Sequence, residues 1–200
     1  KELKGKWEKK NPTYYRQQYD ERRLRVLTHY SAMDSPTCGL CGEKNSDFLH
    51  VDHKVKENKK FDGRRGANLI TYLLKNNFPK GYQILCGNCN WLKEFGIKKD
   101  SYSKNPDAIR ARKRYVRLKF DVLSYYSKGK PKCICCGFDN IDALSVDHIE
   151  GRKKIKHPKN LWGPQLYSWI IRNEYPDEFQ ILCIMCNTAK SYFSKCPHQK

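Results

Sequence analysis

Residues 83–90 read QILCGNCN and residues 180–187 read QILCIMCN, the same at six of eight positions. Internal repetition decides an architecture before any single element does. The matches extend outward from this phrase in a fixed order. Lys10-Asn11-Pro12 is echoed by Lys104-Asn105-Pro106, VLTHYS (26–31) by VLSYYS (122–127), and CGLCG (38–42) by CICCG (133–137). LHVDH (49–53) is echoed by LSVDH (144–148), and GANLITYLLKNNFPKGYQILCGNCN (66–90) by GPQLYSWIIRNEYPDEFQILCIMCN (163–187). The ordered set reads as one unit duplicated in tandem, over 1–98 and 99–200, joined through the polar stretch 95–106.

Composition limits what these units can be. Among 200 residues the hydrophobic set is 38% and the charged set 30%, so each unit has a lean core and is of a size where covalent or metal staples help. Forty Lys and Arg against 21 Asp and Glu give a net charge of +19, spread along the chain. Such an excess points to a polyanionic partner, nucleic acid above all, whose counterions are released on binding. No long basic amphipathic helix suggests a membrane surface, and no apolar run approaches the ~18 residues of a span. The opening KELKGKWEKKNP lacks the apolar core of a secretory signal, so the expected compartment is intracellular and reducing, whether cytoplasm, host cell or organelle matrix.

Each unit repeats a coarse plan. A basic helix follows an Asn-Pro start. Its apolar stripe is Tyr15, Tyr19, Val26 or Leu27, and Tyr30 in the first unit, and Ile109, Val116, Phe120 and Leu123 in the second. A cysteine knuckle and a short strand follow, DFLHVDH (47–53) or DALSVDH (142–148), then a basic loop. A second helix is expected over about 67–77 or 164–174, with Pro164 in its first turn, before a second knuckle and a short helix. Arg22, Arg23, Arg64 and Arg65 in the first unit, and Arg112, Arg114, Arg152 and Lys153 in the second, are the candidate nucleic-acid contacts.

Eight of the ten cysteines form two matched sets: Cys38, Cys41, Cys86 and Cys89, and Cys133, Cys136, Cys183 and Cys186. Four soft thiolates in C-x-x-C pairs suit tetrahedral zinc, and a site with four protein ligands has no open position, so two structural zinc ions are expected. Cys135, Cys196 and His198 have no counterpart in the first unit and receive no role.

The pattern C-x-x-C, then H-x-D-H, then C-x-x-C-N resembles the HNH, or ββα-metal, nucleases, closest to the phage recombination endonuclease VII type. Cys38–Cys41, His50-Val51-Asp52-His53 and Cys86–Cys89 with Asn90 carry it in the first unit, over roughly 35–95 and again over 130–192. The resemblance implies an α+β fold, with helices around a short hairpin-and-helix core in each unit. It implies that Asp52 and Asn90 hold Mg²⁺ or Mn²⁺, that His53 is the general base and that His50 supports the scissile phosphate. Asp147, Asn187 and His148 map likewise in the second unit, where Ser145 replaces His50. Adjacent strand residues face opposite sides, so Asp52 and His53 meet at one point only if the strand ends or bends there.

Two functions stand side by side at this point. One is a metal-dependent endonuclease, DNA favoured and RNA open, with two centres in one chain forming an internal pseudo-dimer. The other is a zinc-stabilised nucleic-acid-binding protein that does no chemistry, such as an RNA-binding subunit of a ribonucleoprotein. Charge and aromatics suit both; the repeated Asp-His-Asn set favours the first.

Overall fold

The computed structural model describes residues 11–31, 33–54, 63–96, 105–152, 154, 157–158, 161–193 and 196–199. The fold is α+β, with six α-helices and two separate two-stranded antiparallel sheets among the described residues. The chain divides into two compact units, Lys1–Cys89 and Asn90–Lys200. The joint expected at 98/99 lies outside the described residues.

In the first unit helix α1 spans Pro12–Tyr30, strand β1 Leu49–His53, helix α2 Gly66–Lys75 and strand β2 Tyr82–Cys86. The short helix α3, Gly87–Trp91, follows directly and passes the division between units. The second unit runs in the same order: α4 (Pro106–Tyr126), β3 (Leu144–His148), α5 (Pro164–Arg172), β4 (Phe179–Cys183) and α6 (Ile184–Phe193). A single 3-10 turn, Ser46–Phe48 or Ile141–Ala143, leads into the first strand of each unit.

Local chemistry explains the boundaries. Pro12 and Pro106 open their helices, where a missing N–H costs nothing. Asn105 also accepts a hydrogen bond from Asp107 N at 2.8 Å, satisfying one orphan donor of the first turn. Helices α2 and α5 stop at Lys75 and Arg172, two residues earlier than expected. The pairs Asn77-Phe78 and Glu174-Tyr175 take left-handed φ values of 52–57° ahead of Pro79 and Pro176. Phe78 N donates to Leu73 O at 2.9 Å and Tyr175 N to Ile170 O at 3.0 Å, the long closing bond of a left-handed helix end. That turn aims each chain back into its second strand.

One face of each hairpin packs on the helices. Val26, Leu69, Ile70, Leu73 and Tyr82 form the first core, with Val51 against it. Val122, Leu166, Tyr167, Ile170 and Phe179 form the second, with Val146 against it. Tyr30 Oη donates to Pro79 O and Tyr126 Oη to Pro176 O, each at 2.7 Å, locking the long helix to the turn before the second strand. The expected stripe of α4 needs correction. Ile109, Val116 and Phe120 are exposed, and only Leu123 of the four is buried. Tyr115, Leu118, Val122 and Tyr126 face the core instead. This helix carries two overlapping apolar stripes, and periodicity alone does not say which one finds a partner.

The cores are small, so single contacts matter. Leu73 and Ile170 are fully buried. Leu73→Ala and Ile170→Ala are each expected to cost about 2–5 kcal/mol by chemical denaturation, through lost transfer energy plus a cavity. A loss below about 1 kcal/mol would show that the helix–sheet seam does not carry the stability of its unit.

Candidate metal centres and the polar face of the hairpin

The two knuckles of each unit meet because backbone hydrogen bonds dock the first onto the second strand. Gly39 N donates to Ile84 O and Ile134 N to Ile181 O, both at 2.9 Å. Each first knuckle closes on a glycine in the left-handed region, Gly42 (φ 78°) or Gly137 (φ 76°), which lets the chain reverse at no steric cost. Each second knuckle is the strand-to-helix junction itself, Cys86 ending β2 and Cys183 ending β4. Cys89 N points at Cys86 Sγ (3.5 Å) and Cys186 N at Cys183 Sγ (3.4 Å), placing amide donors on the sulfurs.

The result is two clusters whose four sulfurs lie within 4.8 Å of one another: Cys38, Cys41, Cys86 and Cys89, and Cys133, Cys136, Cys183 and Cys186. Cys41 and Cys86 stand 3.6 Å apart and Cys136 and Cys183 3.7 Å. Two sulfurs on one tetrahedral zinc, with bonds of about 2.3 Å, would lie about 3.8 Å apart, so the cages fit the ion. Hydrogen bonds from Cys86 and Cys89 hold Cys38 far below the ordinary thiol pKa. Cys133 is held down likewise by Cys136, Cys183 and Cys186. The same contacts push Cys86 and Cys89, and Cys136 and Cys186, above the ordinary thiol pKa, so an ion entering either cage must displace their protons.

The Asp-His strand residues sit on both faces of the hairpin. The antiparallel register is unbroken through His53↔Tyr82 and His148↔Phe179, after which each strand ends. His53 and Asp52 are both buried. The His53 ring lies 4.8 Å from the Tyr82 ring, on the core-facing side. Asp52 accepts from Gln83 Nε2 at 2.8 Å, across the ladder. His148 packs on Phe179 at 4.9 Å, while Asp147 accepts from Gln180 at 2.8 Å. Strand ends supply no bend before the histidine, and Asp and His keep separate partners.

The second unit shows the polar face in full. Lys190 Nζ donates to Asp147 Oδ2 (2.6 Å), His148 O (2.7 Å) and Ile149 O (2.9 Å). Asn187 Nδ2 donates to Ser145 Oγ at 3.3 Å. A fixed ammonium thus stands on the carboxylate that the resemblance gives to a divalent cation. On the other face His148 Nε2 lies 2.8 Å from His157 Nε2. His157 Nδ1 is 2.8 Å from Pro158 O, which only accepts. His157 therefore carries its proton on Nδ1, and His148 donates through Nε2 and keeps a lone pair on Nδ1 when neutral. Burial first, and then the charges of His157 and Arg152, hold His148 below the ordinary imidazole pKa. Next to Cys89, Asn90 Oδ1 is buried with no hydrogen-bond partner among the described residues, an unmet acceptor. His50 is exposed; the protein around it, and second the Arg23 guanidinium, lower its pKa.

The basic residues divide by role. Arg23 is half-buried and donates to Leu49 O at 2.7 Å and to Ser46 O, so it ties α1 to the turn before β1 rather than facing solvent. Lys119 takes the same place in the second unit, donating to Asp142 O at 3.3 Å. Arg22, Arg65, Arg112 and Arg114 are exposed. Arg64 stacks on Tyr72 at 4.1 Å and Arg152 donates to Leu161 O at 2.9 Å. Lys153 lies outside the described residues.

Several groups at these sites were not singled out from the sequence: Gln83, Gln180, His157 and Lys190. The glutamines stand in the quoted QILC phrase, and their cross-strand position opposite the aspartates was there to be read. Sequence reasoning also left Cys135, Cys196 and His198 without a role, yet their ligand atoms and Cys186 Sγ form a third cluster within 4.8 Å. Compared with models of known families, with curated proteins and with solved structures, the chain has no match.

If the four-cysteine cages are structural metal sites, stripping the metal removes folding free energy of order ten kcal/mol per small domain. Prolonged treatment with a zinc chelator is expected to abolish the cooperative thermal transition of both units, and added Zn²⁺ to restore it. An unchanged melting curve in chelator would show that the cages are held by packing alone.

Proposed function

We infer that the chain is a metal-dependent nucleic-acid endonuclease of the HNH type, with one centre in each unit. The observation that carries this reading is the buried acceptor Asn90 Oδ1, unmet among the described residues, one residue past a cysteine cage and part of the repeated Asp-His-Asn set. Asp52 and Asn90 offer the oxygen donors that Mg²⁺ or Mn²⁺ prefers. A cation there would stabilise the crowded phosphate and the departing oxygen. His53, at the end of β1, takes the proton from the attacking water. The excess of positive charge draws a polyanion to the protein. The four-cysteine cages bind zinc and hold the hairpin against the final helix.

A second reading rests on one contact. Lys190 already neutralises Asp147 from 2.6 Å, and the pair is largely shielded from water. A unit whose carboxylate carries its own cation has less use for a divalent one. Extended to the whole chain, that favours a zinc-stabilised nucleic-acid-binding protein without catalysis.

Incubation with supercoiled, linear and branched DNA and with RNA, with and without Mg²⁺ or Mn²⁺, separates the two. Cutting is expected with the cation, and His53→Ala is expected to lower it about 100- to 10,000-fold, the usual loss of a general base. His148→Ala is expected to do the same at the second centre, and the double variant to cut nothing. Binding without cutting, weakening by orders of magnitude over a few-fold rise in salt, would replace the enzyme reading by the second one.

A further inference from the structure

We propose that the second unit holds two zinc ions, the second bound by Cys135, Cys196, His198 and the thiolate of Cys186, which bridges it to the ion of the Cys133, Cys136, Cys183 and Cys186 cage.

The geometry requires the shared ligand. Cys186 belongs to both four-atom clusters, and in each all ligand atoms lie within 4.8 Å of one another. His198 Nδ1 stands 3.4 Å from Cys186 Sγ and 3.4 Å from Cys196 Sγ. A sulfur and an imidazole nitrogen on one tetrahedral zinc, at about 2.3 and 2.05 Å, would lie about 3.5 Å apart. Seven side chains then complete two tetrahedra with one corner in common. Three sulfurs and a nitrogen are a familiar donor set for structural zinc, and the set leaves no ligand position over.

The local chain is shaped for this. Cys196 and Pro197 are buried, although the tail segment CPHQ has little apolar surface to draw it inward. A 3-10 turn over Pro197–Gln199, with Gln199 N donating to Cys196 O at 2.8 Å, turns Cys196 Sγ and His198 Nδ1 to one side. Cys135 lies between the two ligands of its knuckle, so the same tight loop that feeds one ion presents a third sulfur to the other.

Charge and protons balance. The first cage, with four thiolates and one Zn²⁺, carries −2. The joined centre, with six thiolates, a neutral imidazole and two Zn²⁺, also carries −2. Filling the second site releases the protons of Cys135 and Cys196 alone, since Cys186 is already ionised by the first ion. The first unit is an internal control: Leu40 stands where Cys135 does, and the segment after Asn90 up to Lys104 holds no Cys or His.

The inference rests on zinc filling the four-cysteine cages, and ion counting separates the two claims. Native mass spectrometry of the intact chain purified with zinc is expected to show three ions. Cys135→Leu and His198→Ala should each show two. In the chain loaded with ¹¹³Cd, two of three resonances should be scalar-coupled through Cys186 and one uncoupled. Two ions in the unaltered chain would overturn the shared centre and leave the cages standing; none would overturn both. Three ions that persist in both variants, a Cys135–Cys196 disulfide, or three uncoupled cadmium resonances would each overturn it too. The unaltered chain gives the count and the coupling even where a variant fails to fold.

Discussion

The convergence of two cysteine knuckles on one point is the constraint from which the rest of each unit follows. Cys41 and Cys86 lie 45 residues apart in sequence and 3.6 Å apart in space. Closing a loop of that length costs chain entropy that a lean core does not readily offset. Soft ligands on a metal can offset it, and the closed point then fixes what is attached to it. The second strand must end, and the last helix must begin, at the cage. The first strand must pair with the second in one register, because its preceding knuckle is pinned to that strand's backbone at Ile84 or Ile181. Hydrophobic packing completes the unit on one face only, which leaves the other face polar.

That division of faces governs how far the Asp-His pair can act as one device. In a ladder without a bulge, neighbouring side chains point apart. Asp147 reaches Gln180 and Lys190, while His148 reaches Phe179 and His157. Under the proposed reading, a phosphate worked on by both must therefore approach the end of the strand, where the backbone no longer separates the faces. This is a more restrictive entry than an open groove along the sheet. It favours a flexible or distorted strand of nucleic acid over a straight duplex lying on the hairpin.

Much of this was legible in the sequence because repetition filters noise. A single C-x-x-C or Asp-His pair says little; the same order of motifs twice over fixed both cages and the first strand of each unit. Helix ends were less legible. The stop at Lys75 and Arg172 depends on left-handed residues at Phe78 and Tyr175, types that rarely adopt that conformation. The buried stripe of α4 was misread because the sequence offers two, and only the facing helix decides between them. Arg23 counts as surface charge in any composition, yet its guanidinium is spent on backbone carbonyls. Aligning the units also had a blind side. It made Cys135, Cys196 and His198 look like leftovers, since alignment discards whatever one copy lacks.

Those leftovers bear on why two similar units differ. Asp147 is paired with Lys190, and a histidine whose Nε2 faces His157 is held in one tautomer. Both contacts lower the freedom of the second hairpin. A second zinc tying the tail to Cys186 would lower it further, by closing another loop onto the same cage. Leu40 stands in place of the extra sulfur in the first unit, where His50 is exposed, and Asn90 Oδ1 has no hydrogen-bond partner among the described residues. Under the proposed reading, the extra ion would make the second unit the more rigid of the two. A site that must bind and release a polyanion gains from unmet groups, and a site that must persist gains from having none.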